Sequence, residues 1–320
     1  MRIGLIGAGV LGSLFAGRLS SAGHDVTLIA RGRRLRDLES GPLTLTNEAD
    51  GLSTRVLVAA APALLPNDNY ELVIVMVRAN QLESLLPSLS ANTGVPCFLF
   101  MNNRASGSGE LVRALGAQRI VLGFPGAGGE REGNMIHYRL IAEQPTTIGE
   151  LDGRLSARVQ LLASTLRQAG FRVALTRHMD DWLKVHAVFV TAIAGAIYNA
   201  GGQARMVASS DNHIRDLVIA IPEGFAVLSK AGVSIEPKKL ALLFSLPRWI
   251  PQLYWRRYLS AGDAELIFAR HARAAPDEMW ALVGELRAAY PGAFDVCLEL
   301  TGLWACIQAA AAEAGRLPGA

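Results

Sequence analysis

Lysine is scarce in this chain of 320 residues. Of 31 basic side chains only four are lysines, at 184, 230, 238 and 239, and the other 27 are arginines. Cysteine is scarcer still. Cys97, Cys297 and Cys306 form no CxxC and no metal-ligand spacing, and an odd count closes no disulfide framework. That usage fits a reducing cytoplasm. Charged residues are only 18% and the formal net charge is only +3, which excludes a disordered polyelectrolyte. It also gives no basic stripe of the kind that binds nucleic acid. Long hydrophobic runs are absent too. The most apolar late stretch, 185–196, contains His186 and Thr191 and is shorter than the roughly 20 residues a bilayer span needs. At the start, Gly4, Gly7, Gly9 and Gly12 interrupt what would otherwise look like a signal peptide. The expectation is a soluble protein with no targeting segment, no membrane partner and no nucleic-acid partner.

What is abundant is apolar sequence, at 51%. In the first half it comes as short runs, 2–7, 25–30, 71–77, 96–101 and 119–123, separated by helical patterns. Strands that apolar on both faces, each followed by a helix, predict a parallel sheet covered by helices. Residues 43–45 and 54–58 predict an inserted hairpin turning near Asp50-Gly51. The glycine-rich stretch 123–153 predicts an antiparallel extension of the sheet, and 171–175 a last strand. From Asp180 on, helical periodicity takes over, at 182–198, 214–231, 236–244, 277–290 and 293–315. The residues from Gly315 to Ala320 are expected to fray.

The first strand runs into Gly7-Ala8-Gly9-Val10-Leu11-Gly12, a G-x-G-x-x-G. In this position, between strand and helix, the motif predicts a dinucleotide pyrophosphate site. Gly7 makes the turn, Gly9 lets phosphate approach the backbone, and Gly12 lets helix and strand pack closely. The helix N-terminus offers free N–H groups to the anion. Proteins that bind NAD usually carry an acidic residue at the end of the second strand for the ribose hydroxyl. Here that place holds Ala30-Arg31, so NADPH is the expected cofactor, with Arg31 on the extra phosphate. Arg33 and Arg34 read as a solvated surface turn. The fold class that follows is α/β, an N-terminal Rossmann-type doubly wound sheet with a C-terminal all-helical domain. The expected division is residues 1–175 for NADP binding and 176–320 for substrate and catalysis.

Lys184 stands in Trp182-Leu183-Lys184-Val185-His186, on a helix apolar on nearly all sides. A buried ammonium is costly without a partner. One reading is a desolvated lysine of lowered pKa that serves as a general acid. The other is a lysine that snorkels or pairs with Asp180 or Asp181. His186, two residues on, faces away from Lys184 and reads as structural.

These residues resemble the ketopantoate reductase family. The resemblance rests on Gly7 to Gly12, Ala30-Arg31-Gly32, Val77-Arg78-Ala79-Asn80-Gln81, Asn102, Thr147-Ile148-Gly149 and Trp182-Leu183-Lys184. It implies an NADPH-dependent reductase of a small 2-keto acid, with Lys184 protonating the ketone oxygen. It implies Asn102 and Arg78 as cofactor contacts, together with Ala8, Val10 and Leu11 of the turn. Glu223 resembles a family glutamate, and Glu265, with Ser260 second, takes the place of the family's ligand for the substrate hydroxyl. The chain departs from the family pattern in having Val188 and Ala192 where asparagines are usual, and Asn103 where glycine is. These departures disfavour ketopantoate itself and favour a more apolar or differently shaped keto acid. His271 is a further candidate for a carboxylate or proton-transfer role. The alternative function is an NADPH-binding redox-sensing or partner-binding protein that has lost turnover.

Overall fold

The computed structural model describes residues 1–315, without the side chains of Asp263 and His271. The end expected to fray therefore lies, past Gly315, outside the described residues. The chain forms two compact units. The first is Met1–Asn102 with Ser108–Met179, and the second is Asn103–Gly107 with the chain from Asp180 on.

The first unit is built on a sheet of eight strands. These are β1 (Arg2–Ile6), β2 (Asp25–Ile29), β5 (Ala59–Ala61), β6 (Leu72–Val75), β7 (Phe98–Met101), β8 (Ile120–Phe124), β11 (Thr146–Glu150) and β12 (Val173–Leu175), in the order β12-β11-β8-β7-β6-β1-β2-β5. From β8 to β5 all neighbours are parallel, with Ile3 opposite Val26 and Ile74 opposite Leu99. β11 runs antiparallel to β8, and β12 pairs parallel with β11, so these two strands run opposite to the other six. Every residue of β6 and β7 is buried, which is why those strands read as unbroken apolar runs rather than alternating ones. The helices of this unit are α1 (Val10–Ser21), α2 (Gly32–Glu39), α3 (Ala79–Leu82), α4 (Leu86–Ala91), α5 (Gly109–Leu115) and α6 (Ala157–Gln168). The Ser156 side chain caps α6 by accepting from the Val159 N–H.

The hairpin predicted in the first half is present as β3 (Leu43–Asn47) and β4 (Ser53–Val56). The stretch 123–153 differs from expectation. Part of it, β9 (Ala127–Glu132) and β10 (Met135–Leu140), leaves the main sheet and joins the hairpin in a second sheet, β4-β3-β10-β9. The physical reason is one-sided burial. Ile136 and Tyr138 alternate with more exposed neighbours, and they pack with Leu43, Leu45 and Leu14 of α1 in one apolar cluster.

The second unit is helical: α7 (Met179–Asn199), α8 (Ala204–Ser209), α9 (Asp211–Lys230), α10 (Lys238–Ser245), α11 (Trp249–Ser260), α12 (Gly262–Ala264), α13 (Arg270–Ala274), α14 (Pro276–Ala289) and α15 (Leu298–Glu313), with a π-helical turn at Glu265–Ala269. Its core gathers Val188, Leu217, Ile221, Leu282, Leu300 and Trp304. Ala105, from the five-residue excursion Asn103–Gly107, is fully buried in that same core. No helix among the described residues is long and apolar enough to cross a membrane.

Candidate active site

The turn after β1 has the geometry its glycines suggest. Gly7 sits at φ +108°, and a Cβ there would meet the Met76 carbonyl at 2.4 Å. A Cβ on Gly12 would meet the Gly7 carbonyl oxygen at 1.8 Å. Nothing lies within 4 Å of where a Gly9 Cβ would stand, so the face of the turn at the start of α1 is open to an incoming group. Gly9 is the N-cap and offers no side chain to the first-turn N–H groups of Val10, Leu11 and Gly12, and Ala8 lies just before it in the turn.

Of the arginines that follow β2, one departs from the role expected of it. Arg34 is not a solvated surface residue. Its Nε donates to the Ala8 carbonyl at 3.0 Å, and Nη2 donates to Ser13 Oγ at 2.9 Å. Nη1 donates to the Gly133 carbonyl at 2.8 Å and to Asn134 Oδ1 at 2.7 Å. Burial first, then the nearby Arg131, pull its pKa down to about 10 against the pull of Asp37. Arg34 is therefore the brace that ties the glycine turn to α2 and to the second sheet. Arg31, in extended backbone at the N-cap of α2, is the exposed one, and Arg33 is exposed beside it. No acidic side chain occupies the end of β2, where Ile29 and Ala30 are buried. Arg78, half-buried, is the N-cap of α3. Asn102, just past β7, is buried, and its Nδ2 has no hydrogen-bond partner among the described residues. An open glycine turn, an exposed guanidinium and an orphaned buried amide donor together fit a dinucleotide.

In the second unit, every residue from Trp182 to Ile197 is buried except Lys184. Its Nζ donates to Asp180 Oδ2 at 2.6 Å, one helical turn back. The lowered pKa expected from burial is corrected here. Burial does pull the ammonium down, but the hydrogen bond and charge of Asp180, helped by Tyr290 and Asp181, outweigh it and the net shift is upward. Asp181 is engaged separately, accepting the Ser234 N–H at 3.1 Å. His186 stacks on Trp182 with ring centres 5.1 Å apart.

Val188 and Ala192 are fully buried in the core of the second unit. A Cβ on Gly224 would stand 2.4 Å from Val188 Cγ1, so that side chain fills the space Gly224 leaves. Neither residue presents a surface to a ligand, which corrects the expectation that they shape the substrate. Glu265 ties its turn to α8: one oxygen accepts the Ala204 N–H at 3.1 Å and the other receives Arg273 Nη1 at 2.6 Å. Ser260 Oγ donates to the Arg256 carbonyl at 2.8 Å. Glu223 accepts the Leu300 N–H at 3.1 Å. Its pKa is raised by burial first and also by the neighbouring Glu299, against the Leu300 N–H. The His271 side chain lies outside the described residues.

A group that sequence reading passed over holds the excursion Asn103–Gly107. Glu278 and Glu285 lie two turns apart on one face of α14. Glu278 Oε1 accepts from Asn103 Nδ2 at 2.8 Å. Glu285 Oε2 accepts the Ala105 N–H at 2.8 Å and the Ser106 N–H at 2.9 Å. The only signal in the sequence was Asn103 standing in place of glycine.

These features define a two-unit protein whose first unit is a Rossmann-type nucleotide-binding fold and whose second is a helical bundle. Residues 3–153 match the family model described as ketopantoate reductase PanE/ApbA. A relative from Archaeoglobus fulgidus named 2-dehydropantoate 2-reductase is 28% identical over 193 residues, which is 60% of this chain. The match spans 62% of that relative's length. A PanE/ApbA family ketopantoate reductase from Ralstonia eutropha JMP134 superposes with a TM-score of 0.75 at 18% identity, covering 98% of this chain and 99% of that one. A D-mandelate dehydrogenase, in a ternary structure with NADH and anilino(oxo)acetate, superposes with a TM-score of 0.77 at 14% identity over 98% and 99%. The similarity to the ketopantoate reductase family, a family of oxidoreductases, thus covers residues 3–153 in the first unit, with relatives of 28% identity or less.

Proposed function

We propose that the protein is an NADPH-dependent reductase of a small 2-keto acid and that Lys184 protonates the ketone oxygen. The observation that carries this reading is the single break in burial between Trp182 and Ile197 of α7, an ammonium kept charged among buried, mostly apolar neighbours. The glycine turn and the helix start would hold the pyrophosphate, and Arg31 the extra phosphate of NADPH. Asn102 and Arg78 would lie against the rest of the cofactor. When bound, the cofactor supplies the hydride that reduces the ketone.

Lys184 has three N–H groups, and Asp180 takes one of them. The other two are free to point at a developing alkoxide. The raised pKa keeps the nitrogen protonated at neutral pH, so it presents a full positive charge where negative charge grows. An alkoxide is a far stronger base than an amine, so the proton passes to oxygen without the lysine having to be a weakened base. Asp180 holds the ammonium in place and balances its positive charge, and the amine left after proton transfer takes a new proton from solvent before the next turnover. Glu265 would accept the substrate hydroxyl with the lone pairs that Arg273 and the Ala204 N–H leave open. The three thiols are all unpaired, which suits a reducing compartment such as the cytoplasm.

The test is NADPH oxidation against a panel of 2-keto acids, with Lys184→Ala as the control. General acid catalysis is worth about a hundredfold or more, so the variant should lose at least that in kcat while binding NADPH as before. Tight NADPH binding with no keto acid consumed above the Lys184→Ala level would leave only a nucleotide-binding protein.

A further inference from the structure

The helical hairpin of α10 and α11 carries a surface that the proposed reaction does not use. Leu242 and Leu246 lie one helical turn apart, and so do Trp249 and Leu253. Leu242 is 62% exposed, Trp249 64% and Leu253 61%. Residues 245–249, from the end of α10 through the three-residue link to the start of α11, are all exposed, and α10 buries none of its own residues. Large apolar side chains thus project outward in two same-face pairs around an exposed tip.

Within the hairpin's own sequence the charge has one sign. Between residues 237 and 260 stand Lys238, Lys239, Arg248, Arg256 and Arg257, and no aspartate or glutamate. Lys238 reaches Glu236 at 3.4 Å and Arg256 pairs with Asp211, both acids lying outside that stretch. Arg248, beside Trp249, and Arg257 are exposed.

Charge and exposure decide between occupants. A second copy on a two-fold axis would set this basic surface against itself. A groove on another protein would have to receive a projecting tip and also match the exposed Arg248 and Arg257. An anionic lipid surface meets both needs at once, because tryptophan and leucine enter the headgroup–acyl boundary while arginine and lysine stay among the headgroups. We propose that the α10–α11 hairpin docks the protein on an anionic membrane surface. The contact is peripheral, and the sequence expectation of no membrane partner, drawn from spanning segments, did not address it. It stands independently of the reductase reading.

The experiment is co-sedimentation of the full chain with vesicles of phosphatidylcholine alone and of phosphatidylcholine with phosphatidylglycerol. Binding is expected only to the second and should weaken with salt. The double variant Trp249→Ser/Leu253→Ser should lose about tenfold in binding or more. The double variant Arg248→Ala/Arg257→Ala, which keeps the apolar tip, should lose binding with less salt dependence left. Thermal melting checks that both variants remain folded. Three outcomes overturn the proposal: no binding to either vesicle, equal binding to both, or light scattering that shows a dimer which Trp249→Ser/Leu253→Ser splits into monomers.

Discussion

Lys184 Nζ and Asp180 Oδ2 lie 2.6 Å apart at the start of α7, one turn from each other on the same helix face. The lysine side chain is 19% exposed, enough for water to screen the pair but too little for the ammonium to swing free. Desolvation pulls its proton affinity down, and pairing with Asp180 together with the nearby Tyr290 and Asp181 outweighs it.

Asp180→Asn removes the charge that raises the Lys184 pKa and leaves the burial that lowers it. The limb of the kcat/KM profile that falls as Lys184 loses its proton should therefore move to lower pH. The stability effect has the opposite window. A lysine whose folded pKa is raised adds stability fully below its ordinary pKa and loses it as pH climbs through the raised one. The variant should be less stable at neutral pH by about 0.5–1 kcal/mol, as befits a partly exposed pair, and the gap should close at strongly alkaline pH. Urea melts across pH check this.

Arg31→Ala and Arg34→Ala should separate cleanly. A charge-assisted hydrogen bond is worth about 1.5–3 kcal/mol, so Arg31→Ala should weaken NADPH about tenfold or more and leave NADH unchanged. Arg34→Ala strips the Ala8 carbonyl, Ser13 and Asn134 of a shared donor. It should weaken both cofactors alike and lower stability by about 2 kcal/mol or more. Titration calorimetry with the two nucleotides, beside denaturant melts, measures both effects.

Which arginine turns inward was not legible in the sequence. The glycine turn was, because its demands are met within six consecutive residues. Arg34 is fixed by the phase of α2 and by Asn134, a hundred positions away. The apolar runs of β6 and β7 were plain, while β5, three alanines at a sheet edge, carried no pattern. The stretch from Ser245 to Pro276 went unassigned because Pro247 and Pro251 interrupt it, yet Pro251 sits in the first turn of α11, where proline lacks no needed donor. Val188 and Ala192 were legible as departures from the family but not as core, since their burial, for Val188 against Gly224, is a tertiary fact.

Glu285→Ala should leave the buried Ala105 N–H without an acceptor. The expected loss is about 1–3 kcal/mol, with faster hydrogen exchange at Ala105 and Ser106. Glu285→Gln keeps one acceptor oxygen and should fall between the variant and the wild type. Denaturant melts with exchange mass spectrometry resolve the three proteins.

Trp304 Nε1 donates to Thr191 Oγ1 at 3.0 Å inside the helical core. Thr191→Val keeps the shape and removes the acceptor. It should lower stability by about 1–3 kcal/mol without shifting the pH profile, which thermal melts and kinetics on the same sample would show.

The most direct test of the central claim follows the transferred hydrogen itself. NADPH labelled with deuterium at its transferable position is mixed with a 2-keto acid and the protein, and the 2-hydroxy acid is read by mass spectrometry. Wild type should yield product carrying deuterium on the new carbinol carbon, and Lys184→Ala should form it about a hundredfold more slowly or worse. Unlabelled product, no product from any keto acid, or labelled product at an equal rate from Lys184→Ala would contradict the account.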